Sequence, residues 1–377
     1  MGAVLDAFKE MDKKTLWWLI GGLGGIVVLI LILNLASRVS NPSYVGYETV
    51  EENLVEAAKR YFNDNQILLP STTGNSSMVT LNTLVVGEYI KPLNKYLKNG
   101  DSCDASVSVT KLTTDYDYTP YLNCGADYTS VELYKRVLED NTITTSGAGL
   151  YGIDYEKVFR GEVKNNFVSL NNKLWRIVKI DSNNNIVLIS NFNTDIYEWD
   201  DRYNQELDSN DGINNYELSR IKDAIEADYN GNELLTEYEK SKVVYLKACV
   251  GGRGYKEEGH TADVECKTLT ETEVPVRLLT VGEFIEASID ANCKIVGDKG
   301  CTNYNYLLDK NYSFWSMTKG EKDSSQVYVI SNNGISESRA DISRQVRYVI
   351  SLSPKAFYEK GSGTEQDPYI IKTKAKK

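Results

Sequence analysis

Residues 174–190 read LWRIVKIDSNNNIVLIS. Two nearly continuous apolar runs, 174–180 and 186–190, flank a polar turn. A run that is apolar at successive positions, rather than alternate ones, predicts a strand buried on both faces. A core thick enough to cover such strands on both sides requires helices or a second sheet from the surrounding chain. The chain supplies both. The stretch 159–191 reads as three strands joined by Asn-rich turns. ELSRIKDAIEADYNG (217–231) predicts a helix closed by Asn230-Gly231, and LLTVGEFIEASID (278–290) a helix with Thr280 and Glu283 as capping box. YSFWSMT (312–318) and QVYVIS (326–331) read as strands, and Asn-Asn-Gly at 332–334 is a turn signal. VRYVISL alternates, with Val346, Tyr348, Ile350 and Leu352 on one face, and the tail 361–372 is turn chemistry followed by a short strand. The fold class expected is α+β, with a second unit over residues 150–377.

Upstream, residues 44–145 form a smaller unit. A helix over 48–65 places Val50, Leu54, Ala57, Ala58 and Tyr61 on one face, with Thr49 and Glu52 as a capping box. STTGNSS (71–77) reads as a polar loop and NTLVVGEYIKPL (82–93) as a short helix limited by Pro92. Ala105, Val107 and Val109 alternate with Ser106, Ser108 and Thr110 in a half-solvated strand. TDYDYTPYLNC (114–124) is its partner, with Tyr116 and Tyr118 opposite Asp115 and Asp117.

Before this unit lies LWWLIGGLGGIVVLILILNL (16–35), which carries no charge. At helical rise it spans about 30 Å, a bilayer's hydrocarbon core. A secretory core segment is shorter, and no small-x-small site follows for cleavage, so residues 16–36 are expected to be a retained transmembrane helix. Lys9, Lys13 and Lys14 precede it and only Arg38 follows closely. The positive-inside rule then places residues 1–15 in the cytoplasm, 37–43 as a linker, and the rest outside the cell membrane. Gly21 and Gly25, four apart, offer a helix-dimer contact.

The six cysteines, Cys103, Cys124, Cys249, Cys266, Cys293 and Cys301, all follow the apolar segment. Six allow fifteen connectivities; proximity favours 103–124, 249–266 and 293–301 in an oxidising compartment. A zinc site is disfavoured, since there is no Cys-x-x-Cys and His260 is the only histidine. A single loop histidine also gives no Ser-His or Cys-His pair, so an enzyme is not expected. The net charge of −11 argues against nucleic acid as partner. No cofactor is expected, with calcium the one candidate. Asp228, Asn230, Asn232 and Glu239 stand at positions 1, 3, 5 and 12 of a twelve-residue stretch, as calcium loops require, although Glu233 occupies the glycine position. The same residues also read as a helix end, an Asn-Gly turn and a new helix. Trp199, Tyr203, Tyr304 and Tyr306 lie in turns and could form a sugar platform, whereas Trp175 and Trp315 lie in strand runs and are expected in the core.

Two resemblances follow from these patterns. The apolar helix, amphipathic helix, small sheet and disulfide of residues 15–145 resemble the architecture of type IV pilins and type II secretion pseudopilins, although Lys14 and Leu19 stand where a prepilin has Gly and Glu. LWRIVKI with IVLIS, LLTVGEFIEAS, YSFWSMT, VRYVISLS and GSGTEQDPYII together resemble a domain of unknown function found in Gram-positive surface proteins. That domain is related to the C-type-lectin-like and formylglycine-generating-enzyme-like folds. The whole chain resembles single-pass surface proteins of Bacillota. The resemblance brings no known activity. The reading expected is a membrane-anchored binding or adhesion module at the cell surface with a glycan, cell-wall or host-surface ligand, recognised by the long loops of the second unit; the alternative is a pilin-like structural subunit, with an enzyme third.

Overall fold

The computed structural model describes residues 44–72, 75–111, 115–192 and 194–372. The segment 16–36, with Gly21 and Gly25, lies outside them, as do the tail 1–15 and the linker 37–43. Among the described residues no helix is long and apolar enough to cross a membrane. The chain divides into two compact units, one of Met1–Lys111 with Pro120–Thr129 and one of Leu112–Thr119 with Ser130–Lys377.

In the first unit, helix α1 (Tyr47–Asp64) buries Val50, Leu54, Ala57, Ala58 and Phe62. Phe62, not Tyr61, completes the stripe. The helix also starts before the expected Thr49–Glu52 box: Gly46 is its N-cap and no side chain caps it. Strand β1 (Ser76–Thr80) ends at Thr80, whose hydroxyl caps α2 (Leu81–Val86) through the Thr83 N–H. The sequence reading had a polar loop where β1 begins. Serines there join a ladder because β2 (Asp104–Lys111) offers an unpaired edge, pairing Val79 with Val107 and Ser77 with Val109. β3 (Tyr116–Asn123) completes the order β1-β2-β3. α1 and α2 pack on β2, where Ala105, Val107 and Val109 are buried as expected. On β3 the buried residues are Asp117, Thr119 and Leu122, while the tyrosines stay half-buried. Asp117 is buried beside Lys242, 3 % exposed and also of the second unit, whose ammonium lies 2.5 Å from the carboxylate; such pairing offsets part of the cost of burying a charge.

The second unit begins earlier than the expected residue 150. Helix α3 (Leu133–Asp140) buries Leu133 and Val137 in its core. β4 (Gly149–Ile153), β5 (Glu156–Arg160), β6 (Phe167–Leu170), β7 (Lys173–Ile180) and β8 (Ile186–Ser190) follow. Asn171 and Asn172 turn β6 into β7 with φ of 48° and 58°. Two consecutive positive φ angles suit a two-residue hairpin, and Asn tolerates them. β9 (Ile196–Glu198), α4 (Arg220–Asn230), α5 (Glu237–Lys240) and α6 (Val281–Ala287) come next. They are followed by β10 (Phe314–Lys319), β11 (Gln326–Ser331), β12 (Gly334–Arg339), β13 (Ser343–Gln345), β14 (Val349–Leu352), β15 (Tyr358–Lys360) and β16 (Tyr369–Ile371).

These strands make two sheets. One runs β14-β8-β7-β6-β16-β15, with β5 also on β7 and β4 on β5; the other runs β12-β11-β10-β13-β9. β16 pairs parallel with β6, and β13 parallel with β10. Every residue of β8 is buried, as its continuous apolar run requires. The alternation expected over 346–352 does not survive: all seven residues are buried. Arg347 is accommodated there by donating to the carbonyls of Ser190 and Leu307, and burial lowers its pKa to about 10. Trp175, Trp199 and Trp315 are all fully buried.

All six cysteines are paired, as 103–124, 249–266 and 293–301. Each bridge closes a short local loop, and the chain-entropy model assigns such closure about 3 kcal/mol.

Candidate functional site

In the second unit, a cavity of about 190 Å³ opens between the β5–β7–β8 face, the segment 274–283 and the Cys249–Cys266 bridge. Its charged lining begins with α6. Thr280 caps this helix, accepting from the Glu283 N–H, while the Glu283 carboxylate reaches back to the Thr280 N–H at 3.1 Å. The sequence showed this capping box. It did not show that the same carboxylate, 2 % exposed, accepts a two-pronged ion pair from Arg277 at 2.6 and 2.8 Å. Burial alone would push the Glu283 carboxyl up; the charges of Arg277 and Lys179, with hydrogen bonds from Arg277 and Thr280, outweigh it and hold it down at about 2.

Lys179 reaches the cluster through a fault in the sheet. Between Ile177 and Lys179 the β7–β8 register slips by one residue. Such a bulge re-aims the side chains beyond it, and here it lets a lysine in an apolar run line the cavity. Its ammonium donates to Glu156 at 2.9 Å and lies 3.8 Å from Glu283. Burial would lower its pKa, but Glu283 and Glu156 outweigh it and raise the pKa. Arg277 is likewise raised, Glu283 overcoming burial. Two carboxylates thus face two cationic side chains, from Glu283 at the base to Glu156, whose side chain is 32 % exposed.

The loop 250–274 forms another wall. Arg253 and Glu265 are fully buried and joined at 2.9 and 2.6 Å. Arg253 also donates to the carbonyls of Glu257 and Gly259, and Glu265 accepts the Gly282 N–H. Gly282 is required at that contact: a Cβ there would lie 2.4 Å from the Thr261 hydroxyl and 2.8 Å from Arg253. Thr261 is 4 % exposed and belongs to the cavity wall, and its shielded Oγ1 finds no hydrogen-bond partner among the described residues. Its N–H donates to Glu286, whose pKa burial raises despite that bond. His260 is 49 % exposed with Nδ1 3.4 Å from Glu286.

The residues singled out from the sequence fall elsewhere. Trp199 is wholly buried, its indole N–H donating to the Ser316 carbonyl. Tyr306 is 8 % exposed and donates to the Ile177 carbonyl under the guanidinium of Arg176. Both are core residues, so the four-membered sugar platform does not form. Tyr203 and Tyr304 are exposed, and Tyr203 donates to Asp208. The oxygens expected for calcium are spent on separate partners. Asp228 accepts from Tyr197 and Tyr348, and Asn232 from Lys240. Glu239 accepts from the backbone of Thr236 and Asn171, closing the capping box of α5. The Asn230 carbonyl accepts from Lys240 as well. This is the helix-turn-helix reading of the same stretch. Among the described residues no group of three or more His, Cys, Asp or Glu side chains could hold a metal ion.

Sequence reasoning missed Lys179, Arg277, Glu156 and Thr261. The available signal was Lys179 near the end of the largely apolar run 174–180, which also holds Arg176, and Arg277 in VPVRLLT (274–280), since charges inside apolar runs are buried only when paired or hydrogen-bonded. No protein-family model, curated protein or solved structure matches this chain.

Proposed function

We propose that the chain is a single-pass, membrane-anchored cell-surface protein whose second unit binds a ligand outside the cell, and that it is not an enzyme. The observation that carries the reading is the cavity beside Cys249–Cys266: a lining of paired charges and apolar side chains, held by a bridged loop. A braced loop loses less entropy when it binds. The uncharged segment 16–35, the lysines before it and the pairing of all six cysteines support an anchored protein facing an oxidising exterior. The C-type-lectin-like resemblance of the second unit, and the pilin-like one of the first, belong to this proposal. So does self-association through Gly21 and Gly25.

A second reading, a pilin-like structural subunit, is favoured by one feature: an amphipathic helix on a three-stranded sheet that ends in a disulfide. The two are separated by treating intact cells with protease and by adding the full-length, detergent-solubilised protein to isolated cell walls and host cells. Shaving of the second unit and saturable binding support the first reading. A polymer with a trimmed N-terminus and no binding supports the second.

A further inference from the structure

A lysine and a carboxylate that meet in a water-excluded interior can react with each other. Asp117 and Lys242 lie 125 residues apart in the sequence, and both are buried, as is Thr119. The Lys242 ammonium donates to Asp117 Oδ2 at 2.5 Å and to the Thr119 hydroxyl at 3.0 Å. That hydroxyl donates to the same Oδ2 at 2.9 Å. The three groups thus close a triangle of hydrogen bonds, with Thr119 bridging nitrogen and oxygen. Tyr238 of α5 covers the ammonium, its ring centroid 5.1 Å from Nζ. Asp117 Oδ1 is shielded and has no hydrogen-bond partner among the described residues. A buried carboxylate satisfied on one oxygen only is costly. A neutral amide costs less to bury than two ions, even paired ones.

We propose that Asp117 and Lys242 join in an intramolecular amide cross-link, with the Thr119 hydroxyl as proton relay. One proton passes from Nζ to Oδ2 along the hydrogen bond between them, leaving an amine beside a carboxylic acid. The Nζ electron pair attacks Cγ, and the C=O π pair moves onto Oδ1. When that pair returns, the Cγ–Oδ2 bond breaks. Oδ2 takes a second proton from Nζ through Thr119, which accepts from the nitrogen and donates to the oxygen, and it departs as water. One carboxylate and one ammonium give one amide and one water, with no oxidant, cofactor or change of net charge. Contact between the reacting groups replaces chemical activation, since well-oriented intramolecular partners reach effective concentrations of about 10⁵–10⁸ M. The link has a structural consequence. The three disulfides span 21, 17 and 8 residues, so all are local. An amide between residues 117 and 242 is the long-range covalent tie that they do not provide. The inference goes beyond the surface-binding reading and does not depend on it.

The test is mass spectrometry of the full chain purified in detergent. The intact protein is expected to weigh one water less than its sequence and three disulfides require. After reduction and digestion with trypsin, a branched peptide is expected that joins the segment holding Asp117 to the segment holding Lys242, uncleaved after Lys242. Asp117→Ala and Lys242→Met are expected to regain the water and to lose the branched peptide. A parent protein of full mass with no branched peptide overturns the proposal, and the contact is then an ion pair only. A missing water that persists in Lys242→Met, or that maps to another pair of residues, overturns it as well. Because the branched peptide is read in the parent, the result does not depend on how well a variant folds. Thr119→Val, first checked for cooperative melting, is expected to lower the linked fraction at a fixed time after synthesis at least five-fold. An unchanged fraction in the folded variant overturns the relay.

Discussion

Two Arg–Glu pairs of the second unit make opposite use of the same chemistry. Arg253 and Glu265 are sealed: neither side chain is exposed, both carboxylate oxygens are taken, and the guanidinium ends on backbone carbonyls of its own loop. Arg277 and Glu283 are graded: Glu283 is buried, Arg277 is 17 % exposed, and beyond them Lys179 and Glu156 carry the charges out to a cavity. The sealed pair fixes where loop 250–274 sits against α6. The graded one leaves ammonium and carboxylate groups lining a cavity. The lesson is that burial and pairing identify structural charge, while unfinished hydrogen bonding at the end of a paired chain identifies the candidate site.

The comparison is most easily broken at the sealed pair. Arg253→Met leaves Glu265 buried without its counter-charge, which costs about 3–5 kcal/mol. Thermal melting should show a fall of roughly 10 °C, since each kcal/mol moves a domain of this size by about 2–4 °C. A variant that melts like the parent would show that the pair is not the clamp described.

Removing the bridge beside it tests the same loop through the unfolded chain. The Cys249→Ser/Cys266→Ser double variant should lose about 3 kcal/mol, read by urea denaturation. Ligand binding should weaken further than stability explains, because the loop is no longer braced.

The graded pair predicts a pH dependence. Glu283 is held at about 2 in the folded protein, against an ordinary value of 4.5. A depressed carboxyl contributes stability that is complete above the ordinary value and lost as pH falls towards 2, on the order of 3 kcal/mol. Glu286 has the opposite sign. Burial raises it, so its contribution is complete below the ordinary carboxylate range and lost as pH rises through its raised value. Denaturation midpoints between pH 2 and 7 should therefore rise less steeply with pH in Glu283→Gln than in the parent, and more steeply in Glu286→Gln. Parallel curves for the three proteins would contradict the assignment.

The smallest effect sharpens the contrast most. Thr261→Val removes an unsatisfied buried hydroxyl without changing shape. It should stabilise the protein by about 1 kcal/mol, read by thermal melting. A loss of stability would mean that the hydroxyl already has a partner.

How legible this was can be followed residue by residue. LWRIVKI and IVLIS fixed the buried strands, Thr280 and Glu283 fixed the start of α6, and the spacing of six cysteines fixed three local bridges, because each of these is set by neighbours within a few turns of chain. Alternation, capping and loop closure are short-range effects, and the sequence by itself determined them. Wherever the deciding partner is distant, the local pattern misled or was silent. Ser76 and Ser77 became strand because β2 offered an edge. Trp199 and Tyr306, in turn-like stretches, were drawn into the core. Asp228 met two tyrosines instead of a cation. Tertiary structure alone decided the candidate site: Glu156, Lys179, Thr261 and the Arg277–Glu283 pair come from four separate segments, and a charge stays buried only where folding delivers a counter-charge or hydrogen-bond partners, such as the carbonyls that hold Arg347.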